Sequence, residues 1–444
     1  MEKFELKNVK GSYDYGSSQQ IIRDYISDTL KSVFERYGYK PLSTSQLCYF
    51  DLLALKYDEG NEILNEIYKV KDQARRNLGL RYDLTVPFAK YIALNKNISL
   101  PYKRYEIGKV FRDGPVKQGR MREFTQCDVD SVGIEGQMIE AELMLLFVEA
   151  FSKLGINIFI KYNNRKILSG MIEECGIEKE KTSEAITVID KFEKISKEEL
   201  VDEFSNLQIE KSKIEKLINY LNMDFEKLSK EFKETKNQEL QEGIKEISEL
   251  NKYIDALKLN SFVKFCVTLA RGQDYYTGTI LETYQAEGKL SVSLGGGGRY
   301  DKIIGDFIGD GKKYPAVGIG FGLDVIFEIL KEKCGVKKTK TEVYIIPMNN
   351  NIEALEMAEL LRKQNINVDI DMNNAKLKKS LSYASIEEIP YVIIIGEEEL
   401  KENEVILKDM EKGEQRKAKI EDVIKFLIKK RGNDNEKNRW RNSF

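Results

Sequence analysis

Residues 105–112 read Tyr105-Glu-Ile-Gly-Lys-Val-Phe-Arg112, and residues 123–130 read Glu123-Phe-Thr-Gln-Cys-Asp-Val-Asp130. Both runs are rich in β-branched and aromatic residues, and the loop between them contains glycine and proline, which predicts a pair of strands. Gln126, Asp128 and Asp130 alternate along the second run, so their side chains share one face of the sheet. Polar side chains on a face that would otherwise join a core indicate a ligand pocket. Taken alone, the pattern also fits a solvated hairpin.

Two arginines stand in segments far apart in the chain. Arg112 ends the first run, and its planar, permanently charged guanidinium suits a phosphate group. Arg271 opens the segment Arg271-Gly-Gln-Asp-Tyr-Tyr-Thr-Gly278, in which two tyrosines follow. An arginine stabilises charge on a phosphorus centre, and tyrosines enclose and hydrogen-bond a small ring. Paired tyrosines are also common packing residues, so this segment alone does not decide its function.

Two further signals are weaker. In Leu80-Arg-Tyr-Asp-Leu-Thr85, the carboxylate of Asp83 and the hydroxyl of Thr85 face one side of a strand, or else cap the helix that follows. Glycines cluster at 295–298 and recur at 318, 320 and 322, where they let a nucleotide approach the backbone or let strands pack tightly. Neither a G-x-G-x-x-G fingerprint nor a Walker lysine is present, so the familiar phosphate loops are excluded.

The chain has 444 residues and no histidine. An imidazole base, a Ser-His-Asp or Cys-His mechanism and a histidine-ligated metal are therefore excluded within this chain. The chemistry must come from carboxylates, arginines, lysines, tyrosines and the backbone. The five cysteines form no C-x-x-C pair, so they predict neither a disulfide framework nor a zinc cluster.

Charge and hydropathy narrow the class of protein. Its 71 Lys and Arg nearly balance its 73 Asp and Glu, which argues against a uniformly basic nucleic-acid binder but leaves room for a local basic groove. The first residues lack the apolar run of a signal peptide, and no segment approaches the ~20 apolar residues that span a bilayer. We expect a cytoplasmic protein with no membrane partner.

The composition and the spacing of apolar residues change along the chain. Residues 178–259 are dense in Glu, Lys, Ile and Leu with apolar residues three to four apart, which predicts helices. The flanking parts carry β-rich runs without a βαβ rhythm, which predicts one largely antiparallel sheet built from both flanks. After residue 340 the order strand, helix, strand, helix, strand predicts a small α/β domain. The fold class is therefore α+β.

We expect five regions. They are a catalytic domain in two parts at 1–170 and 260–332, a helical insertion at 171–259, the α/β domain at 341–430 and a flexible tail at 431–444.

In this order, the clusters resemble the histidyl-tRNA synthetase family of class II aminoacyl-tRNA synthetases. The segment Arg271-Gly-Gln-Asp-Tyr-Tyr-Thr-Gly278 resembles the arginine-bearing signature of that family, and Gly296-Gly-Gly-Arg-Tyr-Asp301 resembles its companion. The resemblance covers most of the chain, starting at Lys7. It implies a class II antiparallel catalytic sheet, an insertion that clasps the tRNA acceptor arm, a C-terminal anticodon-binding domain and a homodimer.

The resemblance also implies a reaction. ATP, with Mg²⁺, converts L-histidine to histidyl-adenylate, and the histidyl group then passes to the terminal adenosine of tRNA(His). Arg112 and Arg271 are expected to be catalytic by holding the α-phosphate. The ammonium group of histidine is expected to meet Asp83, Thr85 and Gln126, and its imidazole to meet Asp130, Tyr275 and Tyr276. ATP is expected to contact four arginines, Arg112, Arg120, Arg271 and Arg299.

Among the departures from the family pattern, at Ser45, Gln273 and Val325, the last is the most consequential. The third motif of class II enzymes usually ends in an arginine that contacts the γ-phosphate of ATP, but Val325 follows Gly322-Leu-Asp324 here. We expect weaker ATP binding from this change unless Arg299 or a lysine takes over the contact.

Two other functions remain in view. A paralogue such as the regulatory subunit of ATP phosphoribosyltransferase would bind histidine as a sensor, but such proteins resemble this chain without its last domain and generally lose the signature arginine, so the ligase is favoured. A tRNA-binding module without catalysis would use Lys376, Lys378 and Lys379 on phosphates. A solvated helix face is the commoner role of such lysines.

Overall fold

The computed structural model describes residues 5–55, 62–116, 119–271, 275–287, 292–333 and 338–441, with side chains for all of these except 62, 333 and 431–441. Residues 117–118 of the hairpin loop, residues 272–274 after Arg271 and residues 442–444 of the expected tail lie outside this description. Strands are numbered β1 to β16 and helices α1 to α17 in chain order. The chain forms two compact units, Met1–Asp14 with Ile26–Glu328 and Tyr15–Tyr25 with Ile329–Phe444.

The first unit is built around an eight-stranded sheet. Its strands are β1 (Lys40–Pro41), β5 (Tyr102–Phe111), β6 (Glu123–Val132), β7 (Ile158–Asn164), β8 (Val263–Phe265), β9 (Thr279–Gln285), β10 (Gly295–Arg299) and β11 (Ala316–Gly322). Their spatial order is β1-β5-β6-β11-β10-β9-β7-β8. The outer pairs β1/β5 and β7/β8 are parallel, and the pairs between them are antiparallel. The prediction of a largely antiparallel sheet drawn from both flanks is confirmed.

Shorter elements surround this sheet. The helices outside the insertion are α1 (Ser17–Arg36), α2 (Phe50–Ala54), α3 (Glu62–Glu66), α4 (Thr85–Leu94), α5 (Met138–Lys153), α12 (Ile303–Ile308) and α13 (Leu323–Lys333). A small antiparallel sheet has the order β2-β4-β3, formed by β2 (Leu47–Tyr49), β3 (Lys69–Lys71) and β4 (Asn77–Leu80).

One face of the large sheet carries the apolar core. The ring of Phe321 on β11 lies 4.7 Å from that of Phe147 and 5.5 Å from that of Phe151, both on α5, and 5.5 Å from that of Phe34 on α1. All four side chains are fully buried. Burying a large apolar side chain contributes about 1.5–3 kcal/mol, so this face anchors the sheet to its helices. Because side chains alternate along a strand, the opposite face is left for other groups.

The segment between β7 and β8 folds into helices, as the spacing of its apolar residues predicts. They are α6 (Arg165–Glu174), α7 (Thr182–Ile189), α8 (Lys197–Asn206), α9 (Lys211–Leu221), α10 (Phe225–Glu231) and α11 (Gln238–Ala256). Ser196 and Glu199 form a capping box at the start of α8. Asp224 caps the start of α10, and Asn237 caps the start of α11. These caps fix where the helices begin, and their apolar stripes are buried.

The second unit contains a five-stranded sheet of order β13-β12-β14-β15-β16. Its elements are β12 (Val343–Ile346), α14 (Asn351–Lys363), β13 (Val368–Ile370), α15 (Leu377–Ile386), β14 (Tyr391–Ile394), α16 (Glu397–Lys401), β15 (Glu404–Asp409), β16 (Gln415–Lys419) and α17 (Ile420–Arg441). The first three strands pair in parallel, as predicted. The hairpin of β15 and β16, which adds antiparallel strands, was not predicted.

Helix α17 extends over most of the C-terminal residues that we expect to form a flexible tail. The backbone remains helical through Arg441, so the segment expected to form a tail continues α17 over residues 431–441. No proline interrupts this segment, although its glycine, asparagine and aspartate residues are weak helix formers. In the described part of the chain, no helix combines the length and the apolar character needed to cross a membrane.

Candidate active site

The polar face of the sheet is organised by strand register. Across β5, β6 and β11, three rows of directly opposed residues are Arg104, Asp130 and Gly318, then Glu106, Asp128 and Gly320, then Gly108, Gln126 and Gly322. Opposed residues lie on the same face of a sheet, so the carboxylates of β6 face the region above the glycines of β11. A Cβ atom at Gly318 would collide with Asp130, and one at Gly320 would collide with Asp128. The glycines therefore make room for the acidic side chains.

An acidic cavity of about 110 Å³ opens above this face. It is lined by carboxylate, amide and hydroxyl groups of Asp83, Thr85, Gln126, Asp128, Asp130, Tyr275, Tyr276 and Tyr300. These include all six residues expected to hold the substrate amino acid. Segments around residues 83, 128 and 275 thus meet in one place.

A second cleft, of about 210 Å³, adjoins the acidic cavity. Its lining includes Glu66, Arg120, Phe124, Asp324 and Val325. The two spaces share five lining residues, Arg112, Gln126, Arg271, Gly296 and Gly320. The expected catalytic arginines therefore stand together where the cavity and the cleft join.

The backbone holds both arginines at this junction. Arg112 donates from Nε to the carbonyl of Tyr82 at 3.2 Å, and its guanidinium lies 5.1 Å from the centre of the Phe124 ring. Arg271 donates from Nη1 to the carbonyl of Leu281 at 3.0 Å. A Cβ atom at Gly296 would overlap the Arg271 guanidinium, so the glycine-rich strand β10 admits that side chain. Arg271 Nη1 also forms a long ion pair with Glu282 Oε1, at 4.0 Å.

Asp83 and the tyrosine pair bound the acidic cavity. Asp83 is buried, and its Oδ1 accepts the backbone N–H of Val86 at 3.0 Å, so it caps α4 while it also lines the cavity. The rings of Tyr275 and Tyr276 are 4.7 Å apart and tilted by 48°. The interpretation of Asp83 and Thr85 as neighbours on one face of a strand is wrong, because β4 ends at Leu80 and Thr85 begins α4.

Asp130 lies in a buried network that the sequence did not reveal. Arg104 is fully buried, and its Nη2 lies 2.6 Å from Asp130 Oδ2. The hydroxyl of Tyr300 donates to Asp130 Oδ1 at 2.5 Å. Burial raises the pKa of Asp130, while Arg104 and the Tyr300 hydroxyl favour its charged form. Asp130 Oδ1 thus accepts a hydrogen bond within the protein, while Oδ2 is ion-paired with Arg104 but has no hydrogen-bond partner among the described residues.

The comparisons with known proteins agree with these observations. A histidyl-tRNA synthetase family model matches residues 13–326, and an anticodon-binding domain model matches residues 342–430. Histidine–tRNA ligase 1 of Bacillus cereus is 46% identical over 418 residues, which cover 94% of this chain and 96% of that protein. The chain belongs to the histidyl-tRNA synthetase family.

Two crystal structures extend the comparison. That of histidyl-tRNA synthetase from a Nostoc species has a TM-score of 0.83 at 27% identity, covering 96% of this chain and 100% of that one. That of an ATP phosphoribosyltransferase regulatory subunit/histidyl-tRNA synthetase from Bacillus halodurans has a TM-score of 0.74 at 19% identity, covering 89% and 99%. The second likeness shows a shared fold alone. The family of this chain is set by the sequence matches to the synthetases.

Arg299, expected to contact ATP in this synthetase fold, points elsewhere. It is opposite Val317 on β11, whereas Gly296 and Gly298 are opposite Gly320 and Gly318. Alternation along β10 therefore places Arg299 on the other face of the sheet from the acidic cavity. There its Nε donates to Glu140 Oε1 at 2.7 Å and its Nη2 donates to the carbonyl of Gly136 at 2.9 Å. We correct the expectation accordingly: Arg299 anchors α5 to the sheet.

The other residues expected to contact ATP or tRNA lie in two different places. Arg120 lines the cleft. Lys376, Lys378 and Lys379 are exposed at the start of α15, in the second unit. The acidic cavity and these lysines therefore belong to different compact units.

Proposed function

We propose that this chain is a histidine–tRNA ligase that forms histidyl-adenylate at the junction of the acidic cavity and the cleft. The observation that carries the proposal is the meeting of Arg112 and Arg271 at that junction. Membership of the histidyl-tRNA synthetase family and the 46% identity to a histidine–tRNA ligase support it. The regulatory alternative is not favoured, because its support is a likeness of fold at 19% identity.

In the proposed reaction, the carboxylate oxygen of histidine attacks the α-phosphorus of ATP. A bond forms between that oxygen and phosphorus, the bond from the α-phosphorus to the bridging oxygen breaks, and pyrophosphate leaves. Arg112 and Arg271 would bind the α-phosphate oxygens and stabilise their added charge in the transition state. No proton transfer is required in this step, which fits a chain without histidine.

The acidic cavity would orient the amino acid. Asp83, Thr85 and Gln126 are proposed to surround the ammonium group, with Asp130, Tyr275 and Tyr276 around the imidazole. Holding the carboxylate beside the α-phosphorus supplies much of the rate by proximity. A site with buried polar groups also rejects analogues that leave those groups unpaired.

The cleft would receive the nucleotide. Phe124 and Val325 offer an apolar wall, and Arg120 is proposed to contact the outer phosphates in place of the arginine that Val325 replaces. Among the described residues, no cluster of three acidic or cysteine side chains could hold a metal alone. The lining carboxylates of Glu66 and Asp324 are hard oxygen donors of the kind that suits Mg²⁺ bound mainly by phosphates. Bound there, Mg²⁺ would supply charge stabilisation to the phosphates.

Pyrophosphate exchange tests the adenylation step. The purified chain with ATP and Mg²⁺ should incorporate labelled pyrophosphate into ATP when L-histidine is present, and not with the other amino acids. The exchange rate of an Arg112→Ala variant is compared with that of Arg36→Ala, which alters an exposed arginine, so that loss of the junction arginine is distinguished from loss of any arginine. Absence of exchange in the unaltered protein would refute the ligase and favour a histidine sensor.

The second unit is proposed to bind the anticodon arm of tRNA(His). A match to an anticodon-binding domain over residues 342–430 supports this, and Lys376, Lys378 and Lys379 are proposed phosphate contacts. Replacing all three with alanine should weaken tRNA binding and lower its salt dependence, because each phosphate contact releases counterions. Exchange without tRNA should be unaffected. Unchanged filter binding of tRNA would remove the lysines from the proposal.

Two finer proposals follow from the ligase function. We expect the chain to act in the cytoplasm, where tRNA is charged, and to form a homodimer. Sedimentation of the purified chain at micromolar concentration tests the second point, and a single monomeric species would contradict it.

A further inference from the structure

Asn163 is a fully buried polar residue that the proposed reaction does not use. It lies near the end of β7, and its exposed fraction is 0%. It is not among the described residues that line the acidic cavity or the cleft. Burying an amide costs free energy unless its groups are hydrogen-bonded, so the contacts of Asn163 indicate its role.

The side-chain amide of Asn163 binds the chain segment that leads into Arg271. Its Nδ2 donates to the carbonyl of Val267 at 2.9 Å and to the carbonyl of Leu269, also at 2.9 Å. An amide nitrogen has two N–H groups, and here both are used on carbonyls that precede the arginine. Asn163 therefore ties this segment to β7.

Strand register places Asn163 beneath that segment. Asn163 is opposite Ile280 on β9, and Ile280 is opposite Gly298 on β10. Opposed residues share a face of the sheet, so Asn163 lies on the face that carries the acidic cavity. Leu269 and Ile280 belong to one buried apolar cluster. The segment before Arg271 thus packs on the sheet at the place where Asn163 binds it.

The backbone of Arg271 has a conformation that needs support from its surroundings. Its φ is 53°, in the left-handed region that a residue with a side chain rarely adopts. Such a conformation persists where neighbouring contacts determine it. The carbonyl of the preceding Ala270 accepts from Arg165 Nη1 at 3.5 Å, and Asn163 binds two carbonyls before that one. These contacts fix the chain up to the residue that carries the guanidinium.

We propose that Asn163 is a positioning residue for adenylate formation, acting through Arg271 by fixing the backbone from which its guanidinium reaches the α-phosphate. The inference rests on the proposed function and adds a residue to it. A guanidinium displaced by about 1 Å stabilises the transition state poorly, whereas the rest of the cavity and the cleft still bind the substrates. Loss of the Asn163 contacts should therefore change kcat more than KM.

The kinetics of histidine-dependent pyrophosphate exchange test the proposal. Asn163→Asp keeps the shape of the side chain but replaces its NH₂ group with oxygen, so kcat per active site should fall by about 10- to 100-fold while both KM values stay within about threefold. Active sites are counted from the burst of adenylate. Asn350→Asp is the matched control, because Asn350 Nδ2 donates to the carbonyls of Met348 at 3.4 Å and Ile395 at 3.0 Å but belongs to the second unit. It should leave kcat unchanged.

A double-mutant cycle separates positioning from a general loss of structure. In an Arg271→Ala background the guanidinium is absent, so adding Asn163→Asp should lower the exchange rate by less than about twofold. A purely structural role would give the same fold-loss in both backgrounds. Asn163→Ser keeps one donor and should also lower kcat at unchanged KM values. This variant tests the inference if Asn163→Asp does not fold.

Three results would overturn the inference while the proposed function stands. The first is an unchanged kcat per active site in both Asn163 variants. The second is an equal fold-loss from Asn163→Asp with and without Arg271. The third is a raised KM at unchanged kcat, which would assign Asn163 to substrate binding. Absence of exchange in the unaltered protein would refute the proposed function, and this inference with it.

Discussion

Arg104→Met removes the buried cation on which the acidic cavity depends. The Arg104 side chain is fully buried, its Nη2 lies 2.6 Å from Asp130 Oδ2, and the same nitrogen donates to the carbonyl of Leu84 at 2.9 Å. Its guanidinium also lies 4.5 Å from the centre of the Phe88 ring. Methionine keeps much of the length of the side chain but none of its charge. The variant therefore leaves Asp130 buried without its partner.

The expected cost follows from that environment. Removing one partner of a buried ion pair typically lowers the free energy of unfolding by about 3–5 kcal/mol. Each kcal/mol shifts the melting temperature of a large domain by about 2–4 °C, so the transition of the first unit should fall by roughly 6–20 °C. Histidine binding should fall as well, because the cavity loses the group that orients Asp130.

Scanning calorimetry of the full chain measures this shift. Arg36→Met is the matched control, because Arg36 pairs with Glu149 at the surface, where an ion pair contributes about 0–1 kcal/mol. Adding Asp130→Asn to Arg104→Met should recover part of the loss, since the unpaired charge disappears. A melting temperature for Arg104→Met as high as that of Arg36→Met would refute the account of the buried network.

Three further predictions concern other parts of the site. Arg271→Lys should lower the rate of histidine-dependent exchange by about 10²- to 10³-fold with little change in melting temperature, and an unchanged rate would remove Arg271 from catalysis. Arg299→Lys should lower the melting temperature but leave the KM for ATP unchanged, because Arg299 binds Glu140 on the far face of the sheet; a raised KM at full stability would reverse our correction. Burial raises the pKa of the Asp128 carboxyl, so the folded state binds its proton more tightly than the unfolded state. This carboxyl therefore lowers the free energy of unfolding increasingly as pH rises from about 4 through its folded pKa. The melting temperature of Asp128→Asn minus that of the unaltered protein should therefore increase as pH rises above about 4, and a difference that shrinks would contradict the rise in pKa that burial causes.

The C-terminal unit shows what sequence periodicity can predict. The apolar runs at Val343–Ile346 and Tyr391–Ile394 are buried strands, and the segments between them are the expected helices. The hairpin was missed because β16 (Gln415–Lys419) is polar and mostly exposed at the sheet edge, and β15 (Glu404–Asp409) offers only the short apolar run Val405-Ile-Leu407. An exposed strand at a sheet edge lacks the apolar alternation by which strands are recognised.

Site residues that lie in recognisable motifs were predictable from the sequence, whereas those whose roles depend on contacts between distant strands were not. Arg112 and Arg271 stood in recognisable segments. The roles of Arg104 and Tyr300 were not predicted, although Tyr300 lies in the Gly296–Asp301 segment, because they depend on contacts with Asp130 that form only in the fold. Arg299 was misassigned because its place beside a glycine run suggested a phosphate contact, although alternation from Gly296 and Gly298 already implied the opposite face.

Asp128 illustrates the same limit. The alternation of Gln126, Asp128 and Asp130 was visible in the sequence, but nothing in it distinguished the three acceptors. The distinction arises from other parts of the chain: Asp130 is ion-paired with Arg104 and accepts from Tyr300, whereas Asp128 forms no ion pair among the described residues.

A crystal structure of the full chain with L-histidine and a non-hydrolysable ATP analogue tests the central claim most directly. We predict that the guanidiniums of Arg112 and Arg271 both lie about 3 Å from oxygens of the α-phosphate, with the histidine side chain in the acidic cavity. An α-phosphate bound by neither arginine, or histidine bound outside that cavity, would contradict the account.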